Sequence, residues 1–246
     1  LIDIDSASEG FLMTKKYSTV LFDADNTLFD FDMAEHRALE RALTEIGVDF
    51  TDETAALYSK INLSYWRAFE RGEVTKAVLR TARFKDLFEK IGFEKKIDLS
   101  SLADSYLSYL GEGAFLLDGA LYLCQRLKEE GYEVDIITNG VTETQKSRLK
   151  KSGLDKIVDK VFISEEIGVQ KPFPAFFEYV FENIDEKNKE RIVVVGDSYG
   201  SDIKGACSVG LDCVWLNRLK EENALSLPVT KEIESLGELF EFFGLE

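Results

Sequence analysis

"LFDADNTLFD", residues 21–30, places two acids, Asp23 and Asp25, directly after a hydrophobic run. A bare carboxylate at the end of a buried strand is costly, because a low-dielectric interior disfavours the charged form. The two acids therefore belong either to an ordinary solvated turn or to a site that holds a cation and carries out chemistry. The rest of the chain decides between these alternatives, since such a site needs further partners.

The quoted stretch ends the first of several short β-rich runs that are separated by helical patterns. These runs are STVLFD (18–23), YEVDIIT (132–138), KVFIS (160–164), RIVVVGD (191–197) and DCVWLN (212–217). The later β-rich runs are accompanied by helical patterns at residues 119–130, 142–152, 173–183 and 201–209. Near-continuous apolar strands that alternate with helices predict an α/β fold with a doubly wound, parallel, Rossmann-like sheet.

Residues 33–110 break this rhythm, because they contain no convincing strand. They carry amphipathic helical patterns instead, which end at Gly47, Gly72 and Gly92. We therefore predict an inserted all-helical cap domain over residues 33–110. The α/β core is then discontinuous and consists of residues 13–32 and 111–246.

Composition limits the classes of partner. Lys and Arg total 30 and Asp and Glu total 46, which gives a formal net charge of −16. This argues against a nucleic acid polymer as partner, because backbone phosphates need clustered basic residues. No apolar stretch approaches the roughly 20 residues that span a bilayer, so no membrane partner is expected.

The three cysteines, Cys124, Cys207 and Cys213, form no CxxC pair. This is typical of reduced core residues in a cytoplasmic protein, and we therefore expect a cytoplasmic location.

The N-terminal segment LIDIDSASEGFL, residues 1–12, has no basic region and no long apolar core. These features exclude a signal peptide. Met13 begins MTKKYSTVLFD, which is typical of a natural start just before a first strand. We therefore expect residues 1–12 to be an addition left by cloning or a short disordered extension.

Polar side chains follow four of the predicted strands, at the sheet edge where open α/β sheets bind ligands. They are Asp23, Asp25 and Thr27 after the first, Thr138, Asn139 and Gly140 after the second, Lys171 in GVQKPFP after the third, and Asp197 and Asp202 in GDSYGSD after the fourth. Carboxylates at this density repel one another unless a cation lies among them. Mg²⁺ typically takes one or two carboxylates, waters and a phosphate oxygen, and a lysine can hold phosphate as a point charge. The pattern therefore predicts a site for a phosphoryl group bridged to Mg²⁺.

The segments DADNT, TN, KP and GDSYGSD, in this order, resemble the four motifs of the haloacid dehalogenase superfamily. The helical insert resembles that superfamily's C1-type cap. The resemblance implies that Asp23 is the nucleophile that forms an aspartyl phosphate, and that Asp25 protonates the leaving oxygen and then activates water. It also implies that Mg²⁺ is held by Asp23, the Asp25 backbone carbonyl and Asp197, and that Asp202 supports the metal site or Lys171. The phosphate-binding residues that it implies are Thr138, Asn139 and the catalytic Lys171.

The acid at position 25 bears on the substrate. Dehalogenases that resemble this pattern carry a non-acidic residue there, because halide departure needs no proton, so Asp25 favours phosphate esters. Asn26 replaces the commoner glycine, and Asn tolerates unusual backbone angles. The stretches FDADNTLFDFDMAEH and INLSYWRAFERGEVT look most like the pyrimidine 5′-nucleotidase branch. This likeness implies a nucleoside 5′-monophosphate as the small-molecule substrate, with a sugar phosphate or phosphoglycolate as the alternative.

Two other functions remain open alternatives to a phosphatase, and each makes a distinct prediction. A 2-haloacid dehalogenase would release halide, and a catalytically silent binding module would not turn over p-nitrophenyl phosphate with Mg²⁺. Either a monomer or a homodimer is compatible with the sequence. Three residues of the insert are candidates for substrate specificity, although packing between the insert helices is the favoured role of its aromatic side chains: Trp66, Arg67 and Arg71.

Overall fold

The computed structural model describes residues 15–245, which build a parallel sheet covered by helices on both faces. The strands are β1 (Thr19–Phe22), β2 (Glu133–Thr138), β3 (Lys160–Ile163), β4 (Ile192–Gly196), β5 (Asp212–Leu216) and β6 (Lys231–Ile233). Their order across the sheet is β3-β2-β1-β4-β5-β6, and every neighbouring pair is parallel. The predicted α/β fold class is confirmed. The expectation for residues 1–12 lies outside the described residues.

Helices connect the strands and cover both faces of the sheet. They are α1 (Phe31–Glu45), α2 (Asp52–Glu70), α3 (Lys76–Ile91), α4 (Leu99–Glu112), α5 (Ala120–Glu129), α6 (Thr142–Ser152), α7 (Ser164–Ile167), α8 (Pro174–Asn183), α9 (Lys204–Ser208) and α10 (Glu238–Phe243). Between residues 15 and 245, none of these helices is both long enough and apolar enough to cross a membrane.

Strand β1 lies in the middle of the sheet and is buried on both faces. Val20 and Phe22 pack into the apolar layer that contains α5 and α10, whereas Leu21 packs into the opposite layer with α8. This alternation follows from the two-residue period of a strand. Because β1 is hydrogen-bonded to β2 and β4, the loop that leaves its carboxyl end is fixed on both sides.

Helices α1 to α4 lie between β1 and α5 and bury an apolar cluster of their own. Each begins with a polar residue whose side chain accepts a hydrogen bond from a backbone N–H in the first turn; these N-cap residues are Asp30, Thr51, Thr75 and Asp98. The cluster includes the rings of Tyr58, Phe84 and Tyr106, in which Tyr106 meets the other two edge-to-face. The boundaries predicted for a cap over residues 33–110 and a divided core stay a proposal.

The structure departs from the sequence prediction at the short elements. The pattern at 201–209 predicts one helix, but a π-helical turn at Tyr199–Ile203 precedes the short helix α9. The sequence did not identify the short elements α7, β6 and α10, and it did not separate α4 from the rest of the helical insert. Elements of three to six residues, such as β6 and α7, are too short for their periodicity to be distinguished from that of a loop.

Asp135 on β2 is a buried acid whose two carboxylate oxygens have no hydrogen-bond partner among residues 15–245. Burial, with Glu133 as a further cause, raises the pKa of Asp135 from 3.8 to about 7. Between these values the folded state binds more protons than the unfolded state. The free energy of unfolding therefore falls as pH rises through this window.

We expect Asp135→Asn to remove this loss of stability. The variant's advantage over the wild type in free energy of unfolding should be larger at pH 8 than at pH 5, by on the order of 2 kcal/mol. Urea unfolding at both pH values measures the difference, and Asp118→Asn at an exposed position is the matched control. Parallel pH dependences of wild type and Asp135→Asn would contradict the prediction.

Candidate active site

The loop after β1 carries the two acids of the DADNT segment. The backbone N–H of Asp23 donates to the Val195 carbonyl on β4 at 2.8 Å, which continues the sheet ladder as far as this acid. Asn26 adopts the left-handed conformation with φ +57°. Its side-chain oxygen accepts from the Phe31 N–H at 3.1 Å, so the residue that replaces glycine here closes the turn onto α1.

Lys171 is a fully buried ammonium group between two of the acids. Its Nζ donates to Asp23 Oδ1 at 2.5 Å, to Asp202 Oδ1 at 2.6 Å and to the Ile137 carbonyl at 2.8 Å. Although burial lowers the pKa of Lys171, the Asp202 and Asp23 carboxylates outweigh burial and raise it above its usual range. The lysine is therefore a permanent positive charge in the site.

Asn139 fixes the loop that carries this lysine. Its side-chain N–H₂ donates to the Lys171 carbonyl at 3.0 Å, and its side-chain oxygen accepts from the Lys171 N–H at 3.0 Å. The paired contacts join the loop after β2 to the loop after β3. In this structure, Asn139 contacts the lysine backbone, so its predicted phosphate-binding role would act through Lys171.

Asp23, Asp197 and Asp202 form a carboxylate cluster, in which one oxygen from each lies within 4.8 Å of the others. Burial raises the pKa of Asp23 and of Asp197 above the usual carboxyl range, and the neighbouring acids add to both shifts. With all three carboxylates ionised, one lysine leaves an excess of negative charge, which the raised pKa values indicate is disfavoured unless a cation is bound. Oxygen donors with this charge excess fit a hard divalent cation such as Mg²⁺.

The acids from the loop after β4 are held by specific contacts. The Asp197 N–H donates to Thr27 Oγ1 at 3.0 Å, and the indole N–H of Trp215 donates to the Asp197 carbonyl at 2.9 Å. A Cβ at Gly196 would lie 2.4 Å from Asp202 Cγ, so only glycine leaves room for that buried acid. Thr27, singled out from the sequence, therefore orients the Asp197 backbone.

Thr138 lies at the end of β2 and is buried. Its Oγ1 accepts from the Gly140 N–H at 3.0 Å and from Gln145 Nε2 at 3.2 Å. With these two acceptor positions filled, the hydroxyl hydrogen is available to donate to a ligand. The structure thus brings Thr138 to the same sheet edge as the acids and Lys171.

Asp25 is contacted by two residues of α6 that the sequence analysis missed. Gln145 Nε2 donates to Asp25 Oδ2 at 2.6 Å, and Arg148 forms an ion pair with Asp25 Oδ1. The signal that could have identified them is their spacing on α6. Gln145 and Arg148 lie on the same helical face as Leu149, an apolar residue that is expected to be buried, so the two polar side chains point inward.

Two residues of the helical insert also reach the site and were missed. Glu70, at the end of α2, accepts from Ser198 Oγ at 3.5 Å, and burial, with Asp202 as a further cause, raises the pKa of Glu70 to about 7. Lys76, at the start of α3, donates to the Gly140 carbonyl at 2.7 Å and to Ser164 Oγ at 3.0 Å. Burial lowers the pKa of Lys76 to about 8.

The three specificity candidates of the insert lie further out. Arg71 is exposed and forms a two-pronged pair with Glu73, at 2.7 Å for each contact, and Arg67 pairs with Glu221 at 3.4 Å. Trp66 packs edge-to-face against Phe69, with ring centroids 5.8 Å apart. The turn at Gly72 nevertheless lies against Phe173 of the lysine loop, where an added Cβ would be 3.2 Å from the Phe173 ring.

Comparison with known proteins identifies relatives over nearly the whole chain. A sequence model of haloacid dehalogenase-like hydrolases matches residues 17–210. Pyrimidine 5′-nucleotidase PynA of Streptococcus pneumoniae is 37% identical over 92% of this chain and 94% of its own, and pyrimidine 5′-nucleotidase YjjG of Escherichia coli is 33% identical over 91% and 96%. The crystal structure of the HAD-hydrolase YfnB of Bacillus subtilis, bound to magnesium, matches with a TM-score of 0.87 at 38% identity, covering 94% of this chain and 100% of that one.

Proposed function

The chain belongs to the haloacid dehalogenase-like hydrolases, and on this premise we propose that it is a Mg²⁺-dependent phosphomonoester hydrolase that acts through an aspartyl phosphate. The observation that carries the proposal is the buried contact of Lys171 with Asp23 beside the carboxylate cluster. This arrangement provides a nucleophilic oxygen, a fixed positive charge for the phosphoryl oxygens and oxygen ligands for a divalent cation. A solvated turn needs none of these.

We assign the two chemical steps to the acids of the DADNT segment. In the first step an oxygen of Asp23 bonds to phosphorus, the ester P–O bond breaks, and Asp25 gives its proton to the departing alkoxide. In the second step water attacks the aspartyl phosphate and loses its proton to Asp25, and the bond between phosphorus and Asp23 breaks. Phosphate leaves and both acids return to their starting states, so the reaction is balanced.

Lys171 and Thr138 bind the phosphoryl oxygens in this proposal. Lys171 supplies a positive charge that two carboxylates stabilise and hold in place, and Thr138 supplies a hydroxyl donor. Charge on the transferring group is stabilised by donors that are already oriented. Asp202 keeps Lys171 in position, because its Oδ1 accepts from the ammonium group at 2.6 Å.

The residues that would hold Mg²⁺ are Asp23, Asp197 and the backbone carbonyl of Asp25. The cation supplies positive charge that offsets the charge of the transferring phosphoryl group. The carboxylate cluster fits this assignment in donor type and charge. The magnesium in the YfnB crystal structure supports the choice of metal.

The leading substrate class is a nucleoside 5′-monophosphate, with helices α1 to α4 as the cap that selects it. The names of two relatives, PynA and YjjG, support this class. The insert contributes an aromatic ring, a carboxylate and an ammonium group near the site, from Phe69, Glu70 and Lys76. Trp66, Arg67 and Arg71 are the outer candidates for contact with the nucleoside.

A phosphate-release screen over nucleoside 5′-monophosphates, sugar phosphates and phosphoglycolate tests this proposal. We expect kcat/KM to be highest for a pyrimidine nucleoside 5′-monophosphate, and 2-chloropropionate to release no chloride. A preference for a sugar phosphate or phosphoglycolate would refute the nucleotidase assignment but keep the phosphatase. Halide release without phosphate release would refute the phosphatase itself.

A further inference from the structure

The acid–base carboxylate Asp25 is clamped by the side chains of Gln145 and Arg148 from α6. We infer that these two residues are positioning residues, which fix the carboxylate of Asp25 for its two proton transfers. The inference rests on the proposed phosphatase function, because it gives Gln145 and Arg148 a role only through Asp25.

Each oxygen of the Asp25 carboxylate has its own donor. Gln145 Nε2 lies 2.6 Å from Oδ2, and Arg148 Nη1 contacts Oδ1. Both donor side chains are buried, at 1% and 0% exposure, whereas 28% of the Asp25 side chain stays accessible. Two rigid donors on separate oxygens fix the plane of the carboxylate and leave its open side toward the solvent-accessible part of the site.

Arg148 is itself held from two further sides. Its Nε donates to the Gly113 carbonyl at 3.1 Å, and its guanidinium carbon lies 4.3 Å from the centroid of the Phe29 ring. A planar guanidinium can make the contacts to Gly113, Phe29 and Asp25 at once, whereas an ammonium group has no comparable geometry. Among residues 15–245, Asp25 is the carboxylate within ion-pair distance of this buried cation.

Gln145 connects the clamp to the phosphate-binding residues. Its Nε2 lies 3.2 Å from Thr138 Oγ1 as well as 2.6 Å from Asp25. A Cβ at Gly140 would lie 2.2 Å from this nitrogen, so a residue with a side chain at position 140 would clash with the Gln145 amide. One buried amide nitrogen therefore holds the acid–base carboxylate in a fixed position relative to the phosphate-binding hydroxyl.

A double-mutant cycle between positions 25 and 148 tests the inference. On p-nitrophenyl phosphate with Mg²⁺, Asp25→Asn alone should lower kcat by roughly 10²- to 10⁴-fold. Arg148→Met should lower kcat by about 10- to 100-fold in the wild-type background, since a misplaced catalytic group costs this much. In the Asp25→Asn background the same change should cost less than about 2-fold, because the group it positions is absent.

A purely structural role of Arg148 would lower kcat equally in both backgrounds, and that result would overturn the inference. Lys146→Met, which removes an exposed positive charge from the same helix, is the matched control and should leave kcat unchanged. If circular dichroism shows that Arg148→Met does not fold, Arg148→Lys, which keeps the charge but not the planar guanidinium, takes its place in the same cycle with the same criterion. Wild-type protein that releases no phosphate would refute the proposed function and the inference with it, whereas equal losses in an active enzyme refute the inference alone.

Discussion

Asp23→Asn should abolish phosphate release, with kcat falling by on the order of 10⁵-fold or to the detection limit. The amide cannot attack phosphorus, so no aspartyl phosphate forms and the first step has no nucleophile. The measurement is steady-state phosphate release with Mg²⁺ at saturating substrate. Asp118→Asn, the same change at an exposed acid, should keep wild-type activity.

The same variant should not lose stability, and this separates a chemical role from a structural one. Burial raises the pKa of Asp23 above its usual range, which means that the folded state disfavours its charge. Lys171 keeps two acceptors, Asp202 and the Ile137 carbonyl, when Asp23 is replaced. We therefore expect the Tm of Asp23→Asn to match or exceed that of the wild type. Near-normal turnover in a folded Asp23→Asn protein would refute the aspartyl-phosphate mechanism.

Removal of divalent cations by EDTA should reduce phosphate release to the uncatalysed rate, and excess Mg²⁺ should restore it. Without a cation, Lys171 is the one positive charge in contact with the carboxylate cluster among residues 15–245, and the charge of the transferring phosphoryl group is not offset. Activity assays before and after chelation measure the loss and its recovery. Turnover that is insensitive to EDTA would refute the metal assignment.

Calorimetric titration with Mg²⁺ gives this prediction a second measurement. Asp197→Asn should lower the affinity for Mg²⁺ by at least about 10-fold, because it removes a charged ligand from the cluster. Asp25→Asn should leave that affinity within about 3-fold of the wild type, since only its backbone carbonyl is assigned to the metal. Equal affinities in wild type and Asp197→Asn would contradict the proposed ligand set.

The central residues of the site were predictable from the sequence, because an alternation of strands and helices predicts a parallel sheet, and the strands of such a sheet place their carboxyl ends at one edge. The site residues Asp23, Thr138, Lys171 and Asp197 are far apart in the chain, yet each lies at or after the carboxyl end of a strand of the central sheet. Strand order then brings them together without any knowledge of side-chain packing. Asn26 also behaves as its residue type suggests, with a positive φ in a tight loop.

The clamp on Asp25 was not predictable in this way, for a physical reason. Gln145 and Arg148 belong to a helix rather than to a strand end, and a polar residue on a helix is usually solvated. Only the packing of α6 against the end of α4 reveals that this face is buried, as shown by the 3.1 Å contact from Arg148 Nε to the Gly113 carbonyl just after α4. Glu70 and Lys76 were missed because their positions depend on how the insert lies over the sheet.

The central position of β1 sets the order in which the chain can fold during synthesis. Thr19 is paired with Glu133 on one side and with Ile192 on the other, so β1 leaves the ribosome long before either neighbour exists. The helices of residues 31–112 contact mainly one another and can collapse early, whereas the sheet depends on contacts distant in sequence, which form slowly. The loop that carries the nucleophile is thus made before the strands that surround it, and one edge of β1 stays unpaired until β4, Ile192–Gly196, has been added.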